Sequence, residues 1–107
     1  MRRRPTNVIA DKAPSLERRA MRLLRRGDLR KAAMTLREAV ALNPCGASYT
    51  RLGYALMRAG RSDDAVRALK EALYCFRHED MRGRARTVAR MILALDPQDA
   101  TAQKKAA

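Results

Sequence analysis

The sequence is poor in the residues that favour β-sheets. Its 107 residues include no tryptophan, one phenylalanine and three tyrosines. Ala, Leu, Met and Arg are abundant, and these residues lose little side-chain freedom in a helix. The composition therefore predicts an all-α fold. A chain of this length is expected to form one domain with a modest core.

Groups suited to catalysis are equally scarce. The single histidine, His78, lies between Arg77 and Glu79 at a predicted helix junction, where an exposed structural residue is expected rather than a general base. We find no Ser-His-Asp, Cys-His or paired-carboxylate spacing, no cluster of metal ligands and no glycine-rich phosphate loop. We therefore expect a protein that is not an enzyme and that binds no cofactor and no metal.

The sequence has two cysteines and no long apolar run. Cys45 and Cys75 form no CxxC pair, and nothing indicates the disulfide framework of a secreted protein. Arg2, Arg3 and Arg4 resemble the charged segment of a signal peptide, but no apolar segment follows them. No stretch approaches the roughly 18 apolar residues that span a bilayer. We expect a reduced, cytoplasmic protein without a membrane span.

Acidic residues are outnumbered by basic ones. The chain has 11 Asp and Glu against 24 Lys and Arg, for a net charge of +13. Arginine offers a planar fork to carboxylates and phosphates, so the charge predicts an acidic partner. GC-rich codon usage would explain the excess of Arg over Lys but not the net charge. An acidic protein, a nucleic acid and an anionic membrane surface all remain open on charge alone.

Apolar residues recur at helical spacing from residue 15 onward. We predict a flexible basic arm (1–14), a helical domain (15–95) and a short, frayed C-terminal helix (96–107). Gly27, Gly60 and Pro44 separate the first four helices, and Ser62 and Asp96 are predicted N-caps. A fifth helix (79–95) is predicted to turn inward an apolar stripe of Met81, Ala85, Val88, Ile92 and Leu95.

The chain also repeats itself. A shift of 33 residues places Gly27 on Gly60, Ala32 on Ala65, Leu36 on Leu69 and Ala39 on Ala72. Small residues suit the close crossing of two antiparallel helices, and glycine suits the reversal of the chain. The repeat predicts two helical hairpins of the same design.

The second hairpin (46–77) resembles a tetratricopeptide-repeat (TPR) motif. The residues that carry this resemblance, at the family's spacing, are Tyr49, Leu52, Gly53, Leu56, Ala65, Leu69 and Ala72. The first hairpin (13–45) is more divergent, because Arg19 and Ala20 replace the Leu-Gly pair of the family. The resemblance implies a short superhelix of two TPR-like hairpins with a capping helix (79–95). It also implies a non-catalytic adaptor or scaffold.

In TPR arrays the first helix of each hairpin lines a concave groove. Transferred by position, the resemblance implies a partner-binding groove with a floor of Met and Tyr and a rim of Arg. Its predicted residues are Met21, Arg25, Tyr54, Met57 and Arg58, and, if the fifth helix continues the array instead of only capping it, also Arg82, Arg86 and Arg90. Such a groove suits an acidic or amphipathic segment of another protein, or a second copy of this chain in a homodimer.

Non-specific nucleic-acid binding is the alternative. The arm Arg2 to Arg4 and the cluster Arg18 to Arg26 supply the positive charge that phosphate binding needs. The few aromatic residues weigh against it, because Tyr49, Tyr74 and Phe76 are expected in the core, which leaves few rings on which bases could stack.

Overall fold

The computed structural model describes the backbone of residues 8–107 and the side chains of residues 12–107. Over residues 8–107 the protein is all-α, with no β-strand, as the composition predicts. Each helix packs on the next along the chain. The helices are α1 (Val8–Arg26), α2 (Leu29–Leu42), α3 (Gly46–Arg58), α4 (Ser62–His78), α5 (Arg82–Leu95) and α6 (Ala100–Ala106).

Helix α1 begins earlier than the sequence indicates. It starts at Val8 rather than at Ser15 and contains Pro14, so residues 8–14 are helical and not a flexible arm. Ala13 is almost completely buried. Pro14 cannot donate a backbone hydrogen bond within the helix, and the tertiary packing of this turn offsets that loss. The remainder of the predicted arm, residues 1–7, lies outside the described residues.

Three of the helix ends share one geometry. A residue one or two positions after each helix adopts a left-handed conformation, with φ of 81° at Gly27, 77° at Gly60 and 56° at Asp80. The next amide donates to a carbonyl five residues earlier: Asp28 to Leu23, Arg61 to Leu56 and Met81 to Phe76, at 2.8–2.9 Å. These are Schellman ends. The glycine turns are as predicted, but the turn at Asp80 is not, and it delays the start of α5 from residue 79 to Arg82.

The 33-residue repeat reappears in the burial of the side chains. Three pairs related by that shift are all fully buried: Ala32 and Ala65, Leu36 and Leu69, Ala39 and Ala72. The predicted burial of the small crossing residues is therefore confirmed. In α5 the predicted inward stripe is buried at Ala85, Val88 and Ile92, half-buried at Leu95 and exposed at Met81, because Met81 precedes the helix.

Helices α1 and α3 lie side by side and run in the same direction. Near one end Arg51 Nη1 lies 3.1 Å from Glu17 Oε1, and near the other Arg58 Nη1 lies 3.5 Å from the carbonyl oxygen of Leu24. Both contacts join residues 34 positions apart. These contacts place α3 beside α1 with nearly the spacing of the sequence repeat.

The buried side chains form two clusters that meet at α4. Ala65 and Ala68 belong to a cluster with α1, α2 and α3, whereas Leu69, Leu73 and Phe76 belong to a cluster with α5 and α6. Half-buried Tyr49 packs against both clusters. Helix α4 therefore links the two halves of the core.

Helix α6 is capped by a different residue from the one predicted. Asp99, and not Asp96, is its N-cap, and one Asp99 carboxylate oxygen accepts a hydrogen bond from the Ala102 amide at 2.9 Å. Asp96 instead accepts from the Gln98 amide at 3.3 Å. Helix α4 also differs from the prediction, because Ser62 is its first residue and Arg61 its N-cap. Ala102 is fully buried, so α6 is docked on the domain.

Candidate binding groove

A groove of about 320 Å³ opens between α3 and α5. Helix α3 contributes Ala47, Thr50 and Arg51, and α5 contributes Gly83, Arg84, Thr87 and Val88. The ring of Phe76 reaches it from α4. The groove thus has an apolar floor, two hydroxyl groups and an arginine on each long side.

The floor depends on a close approach of two helices. A Cβ placed on Gly46, at the start of α3, would lie 2.5 Å from the Phe76 ring, so glycine is needed for the ring to occupy its place. Phe76 and Val88 are both buried and therefore fixed by packing. Gly83 leaves the rim open, because a Cβ there would meet no atom within 4 Å.

The two threonine hydroxyls have their protons engaged. Thr50 Oγ1 donates to the Gly46 carbonyl at 2.7 Å, and Thr87 Oγ1 donates to the Gly83 carbonyl at 3.1 Å. Each hydroxyl therefore offers a bound molecule acceptor lone pairs and no free proton. The hydrogen-bond donors that face a ligand must come from the arginines.

The two arginines of the groove differ in their availability. Arg51 pairs with Glu17, whose same carboxylate oxygen accepts a hydrogen bond at 2.9 Å from the hydroxyl of buried Ser48. Arg84 is exposed, and among the side chains of residues 12–107 no carboxylate lies within ion-pair distance of it. Arg84 is thus the cation of this groove that can bind an incoming carboxylate.

The predicted groove residues of α1 and α3 differ in exposure and in their contacts. Met21 and Tyr54 keep 37% and 40% of their surface exposed, while Met57 is half-buried against the first cluster. The Arg58 guanidinium lies 5.7 Å from the centre of the Tyr54 ring and also contacts the Leu24 carbonyl near the end of α1. Arg58 therefore satisfies a helix end, a structural role that the sequence did not indicate. Arg25 is exposed.

The three predicted arginines of α5 do not line this groove. Arg82 and Arg86 line a separate opening beside α6, and Arg90 is exposed without lining either one. The residues predicted from the sequence did not include Arg51, Arg84 or Thr87, which line this groove. A shift of 36 residues places Leu52, Gly53 and Leu56 on Val88, Ala89 and Ile92, all of which are buried. The same shift places Arg84 on Ser48, and the Ser48 hydroxyl contacts Glu17 of α1.

The aromatic residues are only partly where they were expected. Phe76 is buried and Tyr49 half-buried, but Tyr74 is 60% exposed, so its assignment to the core was wrong. The Tyr74 hydroxyl lies 2.7 Å from His78 Nε2, with the two rings edge to face. His78 ends α4 and is exposed, as predicted for a junction residue.

Cys75 and Tyr49 both have a raised pKa, which favours the neutral form of each side chain. Burial, and then the charges of Glu79 and Glu71, raise the pKa of the Cys75 thiol above its ordinary value. Burial, followed by the charge of Glu71, likewise raises the pKa of Tyr49. Because the thiolate is the nucleophilic form of cysteine, these shifts make Cys75 a weak nucleophile at neutral pH.

In the part of the chain that the structure describes, no three His, Cys, Asp or Glu side chains cluster closely enough to hold a metal ion. None of the helices α1 to α6 combines the length and the apolar character needed to cross a membrane. No protein-family model and no curated protein matches this chain.

Proposed function

We propose that this chain is a non-catalytic protein-interaction module. It acts as a cytoplasmic adaptor or scaffold and binds an acidic or amphipathic segment of a partner protein in the groove between α3 and α5. The observation that carries this proposal is the apolar floor of Phe76 and Val88 beside the exposed guanidinium of Arg84, which has no carboxylate within ion-pair distance among the side chains of residues 12–107.

A short TPR-like array is part of the proposal. Three features support it: the shared burial of residues 33 positions apart, the α1–α3 contacts at 34 positions, and the matching buried residues of α3 and α5 at 36 positions. In this arrangement α1, α3 and α5 form one row of helices. The groove lies between the last two of them.

The chemistry of the groove suits an amphipathic segment. Phe76 and Val88 would receive an apolar side chain, and the planar guanidinium of Arg84 would bind a carboxylate through two parallel hydrogen bonds. Arg51 holds Glu17 already, so a second acid there would compete with an existing ion pair. One acidic and one apolar side chain on the same face of the segment therefore satisfy the site.

Non-specific nucleic-acid binding is the second candidate, and one observation favours it. An opening of about 650 Å³ between α1 and α2 is lined by Arg19, Arg22, Arg26 and Lys31, with only Asp28 and Glu38 as acids. A backbone of phosphates would be attracted to this surface through its charge. Exposed Tyr74 adds one ring that could stack on a base.

The test separates protein binding from nucleic-acid binding by two charge-reversing substitutions and by a change in salt concentration. We would capture partners from a nuclease-treated lysate at low and high salt, using the wild type, Arg84→Glu and Arg18→Glu. Arg18 is an exposed arginine of α1 outside both openings, so it controls for the change in net charge. Bound proteins would then be measured directly for affinity.

We expect protein partners to survive nuclease and to lose at least tenfold in affinity with Arg84→Glu, a change of about 1.4 kcal/mol or more. Arg18→Glu should retain them. Loss of all captured material after nuclease would instead favour nucleic acid. If the captured protein were the chain itself, sedimentation of the wild type and of Arg84→Glu would show whether the groove forms a homodimer.

A further inference from the structure

A second opening, of about 480 Å³, lies at the other side of α5, where the end of α4, the start of α5 and helix α6 meet. Phe76, Met81 and Ala85 form its apolar part. Five basic side chains surround it: Arg77, Arg82, Arg86, Lys104 and Lys105. We call it the C-terminal basic opening.

Its charges are largely uncompensated. The one acidic side chain in the lining, Asp80, lies 3.4 Å from Arg82 Nε, and both side chains are almost fully exposed, so this pair contributes little to stability. The other four cations have no carboxylate within ion-pair distance among the described side chains. The lining therefore carries a side-chain charge of five minus one, or +4.

The backbone adds to this positive potential. Met81, the N-cap of α5, accepts no hydrogen bond through its side chain, and the first turn of α5 contains no acidic residue. In α3 and α6, by contrast, the side chains of Cys45 and Asp99 cap the first turn. Met81, Arg82 and Ala85 all line the opening, so the positive end of the α5 dipole lies at its edge.

We propose that the C-terminal basic opening binds a compact oligophosphate, a chain of three linked phosphates or its equivalent. Its volume falls in the range of small-ligand sites, about 300–1,000 Å³. Arginines grip phosphate oxygens in bidentate fashion and lysines act as point charges. The cations of this opening come from three helices. They therefore match an anion whose charge is spread over several phosphates better than they match a single carboxylate.

Binding would be measured by titration calorimetry at about 0.1 M salt, where the Debye length is about 10 Å. Inorganic tripolyphosphate and ATP serve as probes, because they share the phosphate chain and differ in the nucleoside. We would compare the wild type with Arg86→Gln/Lys104→Gln. The matched control is Arg30→Gln/Arg90→Gln, which also removes two exposed cations but none from the opening.

We expect tripolyphosphate to bind the wild type, to bind Arg86→Gln/Lys104→Gln at least tenfold more weakly, and to bind the control within twofold of the wild type. Asp80→Asn should tighten binding at least twofold, because it removes the one acid of the lining and asparagine tolerates the left-handed conformation at this position. Equal affinity of ATP and tripolyphosphate would assign the site to the phosphate chain alone. Tighter binding of ATP would assign it to a nucleotide.

Two results would overturn the proposal. One is the absence of tripolyphosphate and ATP binding to the wild type. The other is an equal loss in the double variant and its control, which would show attraction to net charge and not to this opening. Arg84 is unchanged in every variant, so failure here leaves the partner groove between α3 and α5 to be judged separately.

Discussion

Lys70 of α4 forms an ion pair with Asp99 at the start of α6, with 2.7 Å between Nζ and Oδ2. The Asp99 side chain is only 8% exposed, and its other oxygen accepts the hydrogen bond from the Ala102 amide. The hydrogen bond from Lys70, followed by that from the Ala102 amide, lowers the pKa of Asp99, and Asp99 in turn raises the pKa of Lys70. One carboxylate thus caps α6 and fastens it to the domain.

We expect Asp99 to make the docking of α6 dependent on pH. Because the pKa of Asp99 is lowered in the folded protein, its stabilising contribution is present above the ordinary Asp value of about 3.9 and is lost as the pH falls through the folded pKa. The raised pKa of Lys70 gives a contribution that is present below about 10.4 and is lost at higher pH. Urea unfolding at pH 7 and pH 3 measures how much the Asp99 contribution to the free energy of unfolding falls with pH.

Two variants separate the cap from the ion pair. Asp99→Ala removes both and should cost about 1–2 kcal/mol at pH 7, whereas Asp99→Asn keeps an N-cap side chain and should cost less. At pH 3, which is below the ordinary pKa of Asp, both variants should differ less from the wild type than at pH 7. Glu38→Gln, an exposed acid of α2, serves as the control. A cost of Asp99→Asn that is the same at both pH values would contradict the ion pair.

Two helical glycines should respond to alanine in opposite directions. A Cβ on Gly53 would lie 2.6 Å from Leu69 Cδ2 and Cγ, so Gly53→Ala should destabilise the hairpin by about 1–3 kcal/mol. A Cβ on Gly83 would meet nothing within 4 Å, and Gly83→Ala should stabilise the protein by up to about 1 kcal/mol through its helix propensity. Thermal and urea unfolding measure both. A stabilising Gly53→Ala would show that α3 and α4 are farther apart than described.

Removal of α5 and α6 should unfold the remaining chain. Leu69, Leu73 and Phe76 of α4 are buried in the cluster that α5 completes with Val88 and Ile92. Truncation after His78 would expose this face to water, and arrays of about three repeats are normally needed for stability. Circular dichroism and light scattering should show loss of helix or aggregation. A monomeric, fully helical fragment would disprove the capping role of α5.

Local patterns in the sequence were sufficient for the all-α fold and for two of the turns, but not for every helix boundary. The spacing of Leu36 and Leu69 identified buried helix faces, and Gly27 and Gly60 identified two chain reversals, because glycine adopts positive φ at little cost. Asp80 adopts the same conformation and was missed, since aspartate in that place carries a far weaker signal. The sequence also could not show that Ala13 is buried, which keeps the turn around Pro14 helical.

The sequence by itself determined the all-α fold, the repeat of the two hairpins and an excess of positive charge, because these follow from composition and from the period of the helix. Only the tertiary structure decided which arginines face the groove. The packing of α5 places Arg84 in the groove beside α3 and places Arg82 and Arg86 in the opening beside α6. This packing depends on the contacts of Val88 and Ile92 with residues distant in sequence, such as Leu69 and Phe76.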